Sequence, residues 1–216
     1  KKEIEVLCSR IRDNGAIINV SVLNHASTSF PASLDSTLGI RGAFNVDPYK
    51  IWYNAKNEIQ CVSNLTPVLV SNIDCKKTFF GGNSKATALV SGLLAKAMYT
   101  MQIDGENALK SLVIKTDWCE DDIQKEFTVQ NKEKVGVELL ALSEQVCDFL
   151  KFNKKQRENI LERTLFPPSI YIEKEQFICL IEYLSAFYHK EVILGQFEIS
   201  NLSTISSIYR YFKGEK

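Results

Sequence analysis

The sequence predicts an α/β fold with a parallel sheet, followed by a small all-α bundle. Three features carry that prediction. A helix, a Gly turn and a buried strand follow one another over residues 3–23, a Gly-Gly turn leads into a small-residue helix over 84–101, and after Trp118 the chain becomes acidic, lysine-rich and helically periodic. With 216 residues, 45% of them hydrophobic, the chain can bury a core in each of two modest domains.

Within Glu3–Asn14, Ile4, Leu7, Cys8 and Ile11 recur at helical spacing, and Gly15 supplies the residue that tolerates a positive φ at a helix end. Ile17, Ile18, Val20 and Val22 make Ala16–Leu23 a short buried strand that ends at the polar pair Asn24-His25. A helix, turn and buried strand in this order belong to parallel sheets, where functional groups gather at the carboxyl ends of strands. Asn24 stands at such an end. Residues 27–78 are rich in Ser, Asn, Thr and Pro, and hold candidate strands at Thr37–Ala43, Ile51–Tyr53, Ile59–Val62 and Pro67–Val70. Gly81-Gly82-Asn83 then turns the chain into a helix over Ser84–Met101, with Ser84 in its first turn, and Asp104-Gly105 marks the turn before a second helix at Asn107–Val113. A linker is expected over residues 117–131, between a first domain of residues 1–116 and a second of 132–216. Helices are expected there at Val135–Phe149, Lys154–Arg163, Lys174–Tyr188 and Thr204–Phe212, separated by Pro167-Pro168 and a loop through Gly195.

Composition excludes several function classes. The 26 basic residues balance 26 acidic ones and are scattered, so neither a nucleic-acid partner nor an anionic membrane is expected. No apolar run approaches the roughly 20 residues that span a bilayer, and the first residues lack a signal-peptide pattern. The six cysteines (Cys8, Cys61, Cys75, Cys119, Cys147, Cys179) lie far apart, with no CxxC pair and only two histidines. Buried reduced thiols in a cytoplasmic protein, with no metal and no cofactor, are the expectation.

The chemistry-bearing segment is Gly82-Asn83-Ser84-Lys85-Ala86-Thr87-Ala88-Leu89-Val90-Ser91-Gly92. Its small residues let a helix start pack closely in the core while the serine faces a cleft, where its N–H and the helix dipole favour developing negative charge. A capped, closely packed helix with Asn83 or Ser84 as N-cap accounts for the same turn, and Asn24 alone reads equally as a turn residue. The segment resembles the nucleophile motif of the subtilase family of serine peptidases, Gly-Thr-Ser-x-Ala-x-Pro-x-Val-x-Gly. Ile17–Asn24 followed by Ser29-Phe30-Pro31-Ala32-Ser33-Leu34 is similar to that family's strand ending in the oxyanion asparagine and its Tyr-Pro-Ala loop, and Asn24 precedes Ser84 by 60 residues, an interval close to the family's. The resemblance covers residues 3–103. It implies the C-terminal half of a subtilisin-like core, with Ser84 as nucleophile, Asn24 as oxyanion donor and a peptide or protein as substrate.

Two departures, Asn83 for threonine and Ala88 for proline, are compatible with the turn and the helix. A third bears on activity: neither the family's Asp-Ser/Thr-Gly nor its His-Gly-Thr segment is in this chain, and His25 and His189 are expected to be surface or capping residues. The chain does not begin with Met, and its first residues read as the middle of a fold. A half sheet exposes apolar edges, so a second chain or a cleaved segment is expected to supply Asp and His. The alternative is a degenerate, non-catalytic peptidase fold that serves as a peptide- or protein-binding scaffold.

In the tail, Glu175–Tyr188, Val192-Ile193 and the run from Ile199 to Ile205 are similar to acyl-carrier-protein-like helical bundles. Where a carrier has Asp-Ser, this chain has Glu173-Lys174, which leaves no hydroxyl for a phosphopantetheine arm. An amphipathic bundle used for docking, with Phe177, Ile178, Ile181, Tyr183, Leu184 and Phe187 as core, is the expectation.

Overall fold

A computed structural model of the chain describes residues 1–24, 26–44, 46–71, 77–127, 136–158, 160–166, 170, 172–192 and 199–214. By the density of internal contacts it divides into two units, residues 1–66 with 81–123, and residues 67–80 with 124–216.

The first unit opens with α1 (Lys2–Asp13), which ends where the Asn14 N–H donates to Arg10 O and Gly15 takes φ +83°. There follow β1 (Asn19–Ser21), β2 (Leu38–Ala43), β3 (Ile51–Tyr53) and β4 (Cys61–Asn64), then α2 (Gly82–Met101), α3 (Gly105–Leu112) and β7 (Val113–Lys115). Between β4 and α2 the chain forms β5 (Val68–Ser71) and β6 (Lys77–Phe80), which belong to the second unit. The sheet order is β1-β2-β4-β3-β7, with β1, β2 and β4 mutually parallel, β3 antiparallel to β4, and β7 parallel to β3. The architecture is therefore α/β with a mainly parallel sheet.

Helix α2 packs on β1, β2 and β4. Ala86, Val90, Leu94 and Ala97 share one helical face and close with Ala108 of α3 over Leu38, Ile40, Ile51 and Cys61. Burial of Cys61 pushes its thiol far up, so it acts as a small apolar side chain. The five described cysteines are free. Cys8, Cys61 and Cys147 are buried as expected, whereas Cys119 and Cys179 are exposed.

Some boundaries differ from expectation for identifiable reasons. Val113 leaves the helix because its ψ of 128° is extended, and it starts β7. The helix expected over Lys154–Arg163 stops as α6 (Lys154–Arg157), where Glu158 turns extended at ψ 124°, and Ile160–Glu162 forms a separate 3-10 turn. Part of the expected linker is helical, as α4 (Glu120–Phe127), and the division between the units falls inside it.

At the entry to α4, Asp122 accepts the Cys119 N–H at 2.9 Å and pairs with Lys115 of β7 at 2.8 Å. The Lys115 ammonium and that N–H hold its carboxyl down at about 2, below its ordinary 3.8. A depressed folded value means stability that is present above the ordinary value and lost as pH falls through the folded one. Asp122→Asn is expected to flatten the fall in melting temperature between about pH 4 and 2, and the check is thermal unfolding of both proteins across that range.

The second unit is mainly helical, with one hairpin drawn from the middle of the chain. Strands β5 and β6 pair antiparallel, and Phe79 of β6 sets its ring edge-on to Phe166 and Phe177 at centroid distances of 5.5 and 5.4 Å. Around these close α5 (Val137–Phe149), α7 (Lys174–Tyr188) and α8 (Ile205–Lys213), with Leu180, Ile181, Leu184, Leu202 and Ile208 buried. Tyr183 and Phe187, expected in this core, are 37% and 56% exposed. Capping boxes at Glu173 and Thr204 start α7 and α8. The expected loop around Gly195 and the Pro167-Pro168 break lie outside the described residues.

Candidate active site

The site is built at the carboxyl ends of β1, β2 and β4, where α2 begins. Gly81 is the N-cap, in extended conformation, and Gly82 is the first helical residue, with φ +69°. That φ favours glycine, and a Cβ at Gly82 would stand 3.2 Å from Asn24 Oδ1, so a larger residue would press on the asparagine amide. The cap is thus Gly81 rather than Asn83 or Ser84, and the two glycines bring α2 in directly beneath Asn24.

Asn24 Oδ1 accepts the Asn83 N–H at 3.3 Å. This places the asparagine amide over the first turn of α2, one residue from Ser84. Both Asn24 and Ser84 are exposed, and no described residue takes up the Asn24 Nδ2 donor or the Ser84 hydroxyl. Ser84 is the third helical residue, where the backbone N–H has no partner four residues back within the helix. A side-chain amide bonded to the neighbouring residue and a helix-terminal N–H thus both belong to the turn that carries the Ser84 hydroxyl.

Asn83 has a larger role than a variant threonine. Leu38 donates to Ile18 O and Val22 donates to Ile40 O, and by the two-residue repeat of a parallel ladder the next rung would run from the Gly42 N–H to Val22 O. The Asn83 amide sits in that rung instead. Its Oδ1 accepts the Gly42 N–H at 2.9 Å and its Nδ2 donates to Val22 O at 3.1 Å. The inserted amide parts β1 from β2, which is why the strand expected over Ala16–Leu23 ends at Ser21 and the chain opens toward Asn24.

Lys85, on the other side of Ser84, is only 9% exposed. Its Nζ donates to Asn64 Oδ1 at 2.7 Å and to Asn64 O at 3.3 Å, at the end of β4. Asn64 is itself fixed, donating through Nδ2 to Val46 O at 2.7 Å and accepting the Thr66 N–H at 3.0 Å. In the sequence motif Lys85 falls at an unspecified position, and Asn64 has no motif to mark it. The signal the sequence does carry is a lysine inside an otherwise small and apolar helix start.

Of the two histidines, His25 lies outside the described residues. His189 is the exposed C-cap of α7, in left-handed conformation at φ 50°, and belongs to the second unit. Among the described residues no group of three or more His, Cys, Asp or Glu side chains converges to hold a metal ion, and no helix is long and apolar enough to cross a membrane. No family model, curated protein or solved structure matches the chain.

Proposed function

We propose that this chain carries the serine half of a subtilisin-like serine endopeptidase. The observation that carries the reading is the placement of Asn24 over the turn that presents Ser84, with its Nδ2 donor free of any described partner. In the proposed reaction Ser84 Oγ attacks a peptide carbonyl, and the Asn24 amide and the Ser84 N–H donate to the oxyanion that forms. The serine proton passes to a histidine, which an aspartate orients, and then to the leaving amine as the C–N bond breaks. Water next hydrolyses the acyl ester and restores Ser84.

Histidine and aspartate come, in this proposal, from a second chain or a cleaved segment. Two observations support such a partner. Strand β1 is an edge of the sheet, and the backbone groups of Asn19 and Ser21 face away from β2. Ile4, Leu7 and Ile11 of α1 also remain 44%, 55% and 46% exposed. The five unpaired cysteines favour a cytoplasmic, reducing setting. In the second unit Lys174 opens α7, paired with Glu175 at 2.9 Å, at the point where a carrier protein would hold its serine. A docking bundle is the reading we keep for it.

The test is covalent labelling. A fluorophosphonate is expected to modify Ser84 in the native assembly and to spare Ser84→Ala, while intact mass of the co-purifying chains identifies the source of Asp and His. An assembly that contains those residues and still leaves Ser84 unlabelled would sink the proposal. The absence of a base beside Ser84 among the described residues favours, as a second reading, a non-catalytic scaffold, for which Ser84→Ala leaves peptide or protein binding intact.

A further inference from the structure

We infer that Lys85 is a positioning residue for Ser84, acting through Asn64. The inference rests on the peptidase reading for its functional meaning, although its geometry stands alone. Successive helical residues project about 100° apart. Asn83 and Lys85 flank Ser84, and both are drawn inward: Asn83 to Gly42 and Val22 at the ends of β2 and β1, Lys85 to Asn64 at the end of β4. With its two neighbours tied to three strand ends, Ser84 is held by the helix geometry on the solvent side, where it is exposed.

The Lys85 tie is specific. An ammonium with so little exposure needs oxygen acceptors to replace water, and they include the side-chain and backbone oxygens of Asn64, whose amide orientation is set by Val46 O and the Thr66 N–H. A cation in the first turn is also opposed by the helix dipole, and this lysine directs its charge away from the helix and onto the sheet. Its first-turn position and long reach let it act as a strut between α2 and β4, and an apolar residue of the same length would fill the space without fixing the angle.

Amide hydrogen exchange on the full chain tests this without any chemistry at Ser84. In Lys85→Met, exchange at residues 86–88, the first α2 amides with a partner inside the helix, is expected to quicken about tenfold, about 1.4 kcal/mol of local opening, while residues 90–100 of α2 keep their protection. Unchanged exchange at 86–88, or equal acceleration along all of α2, overturns the inference. Should Lys85→Met not fold, Asn64→Ser, which keeps the cation and removes its side-chain acceptor, carries the same expectation. In the native assembly Lys85→Met is expected to lower kcat about tenfold with KM little changed, and Lys85→Arg to recover part of the loss; a change confined to KM counts against positioning. A wild-type assembly that does not react with fluorophosphonate removes the peptidase reading, and the exchange result still decides whether Lys85 holds the turn.

Discussion

Asn24→Leu is expected to lower turnover of the native assembly by about 10²–10³, the cost of removing one oxyanion donor in a serine peptidase, with KM little affected. The donor in question is Nδ2, which no described residue occupies, while Oδ1 is engaged by the Asn83 N–H. That division of labour makes a second variant informative. Asn24→Asp keeps an oxygen for the Asn83 N–H and replaces the donor with negative charge beside the position where charge develops. If Asn24 only shapes the turn, the aspartate variant should stay active; if it donates to the oxyanion, the aspartate variant should lose at least as much as the leucine one. Steady-state kinetics on a peptide substrate, with the rate of fluorophosphonate labelling as a second readout, separates the two.

Asn83→Ala is expected to destabilise the first unit by about 1–3 kcal/mol, the cost of leaving a buried polar group without its partner. Gly42 lies inside the sheet and its N–H loses its acceptor, while among the described residues Val22 O keeps the Ser21 hydroxyl at 3.1 Å. Against a typical domain stability of about 5–15 kcal/mol such a loss is large, and it should appear as a lower denaturant midpoint at unchanged slope. Asn83→Thr should recover part of it, because a single hydroxyl can serve one side of the rung but cannot span both. A variant as stable as the wild type would mean that β1 and β2 can close the missing rung directly.

Much of this arrangement is legible in the sequence where the signal is local. Strand β3 and helix α7 fall at the residues that patterning indicates, Ile51–Tyr53 and Lys174–Tyr188, because apolar spacing and capping residues lie within a few positions of one another. The turn that presents Ser84 is legible from Gly81-Gly82 and the small residues after it. Long-range ties leave no such mark. Asn83 bonds to groups 41 and 61 residues away and Lys85 to two oxygens of Asn64, 21 residues away, and three of those four acceptors and donors are backbone atoms, which every residue possesses. A pattern reader therefore sees Asn83 as a substituted threonine and Lys85 as an unspecified position. Strand β6 carries no local signal either, because Lys77-Thr78-Phe79-Phe80 does not alternate and is a strand only through its pairing with β5.

The Asn83 amide also has a bearing on the order in which the chain folds. A β1–β2 pair can form from residues fewer than 25 apart, before α2 is in place, and would then be free to close the direct rung between Gly42 and Val22. Seating Asn83 requires that rung to open and a loop of 61 residues to be brought together, an entropic cost that local contacts do not offset until the helix docks. The turn that presents Ser84 is thus seated by a long-range tie to the sheet rather than by local contacts.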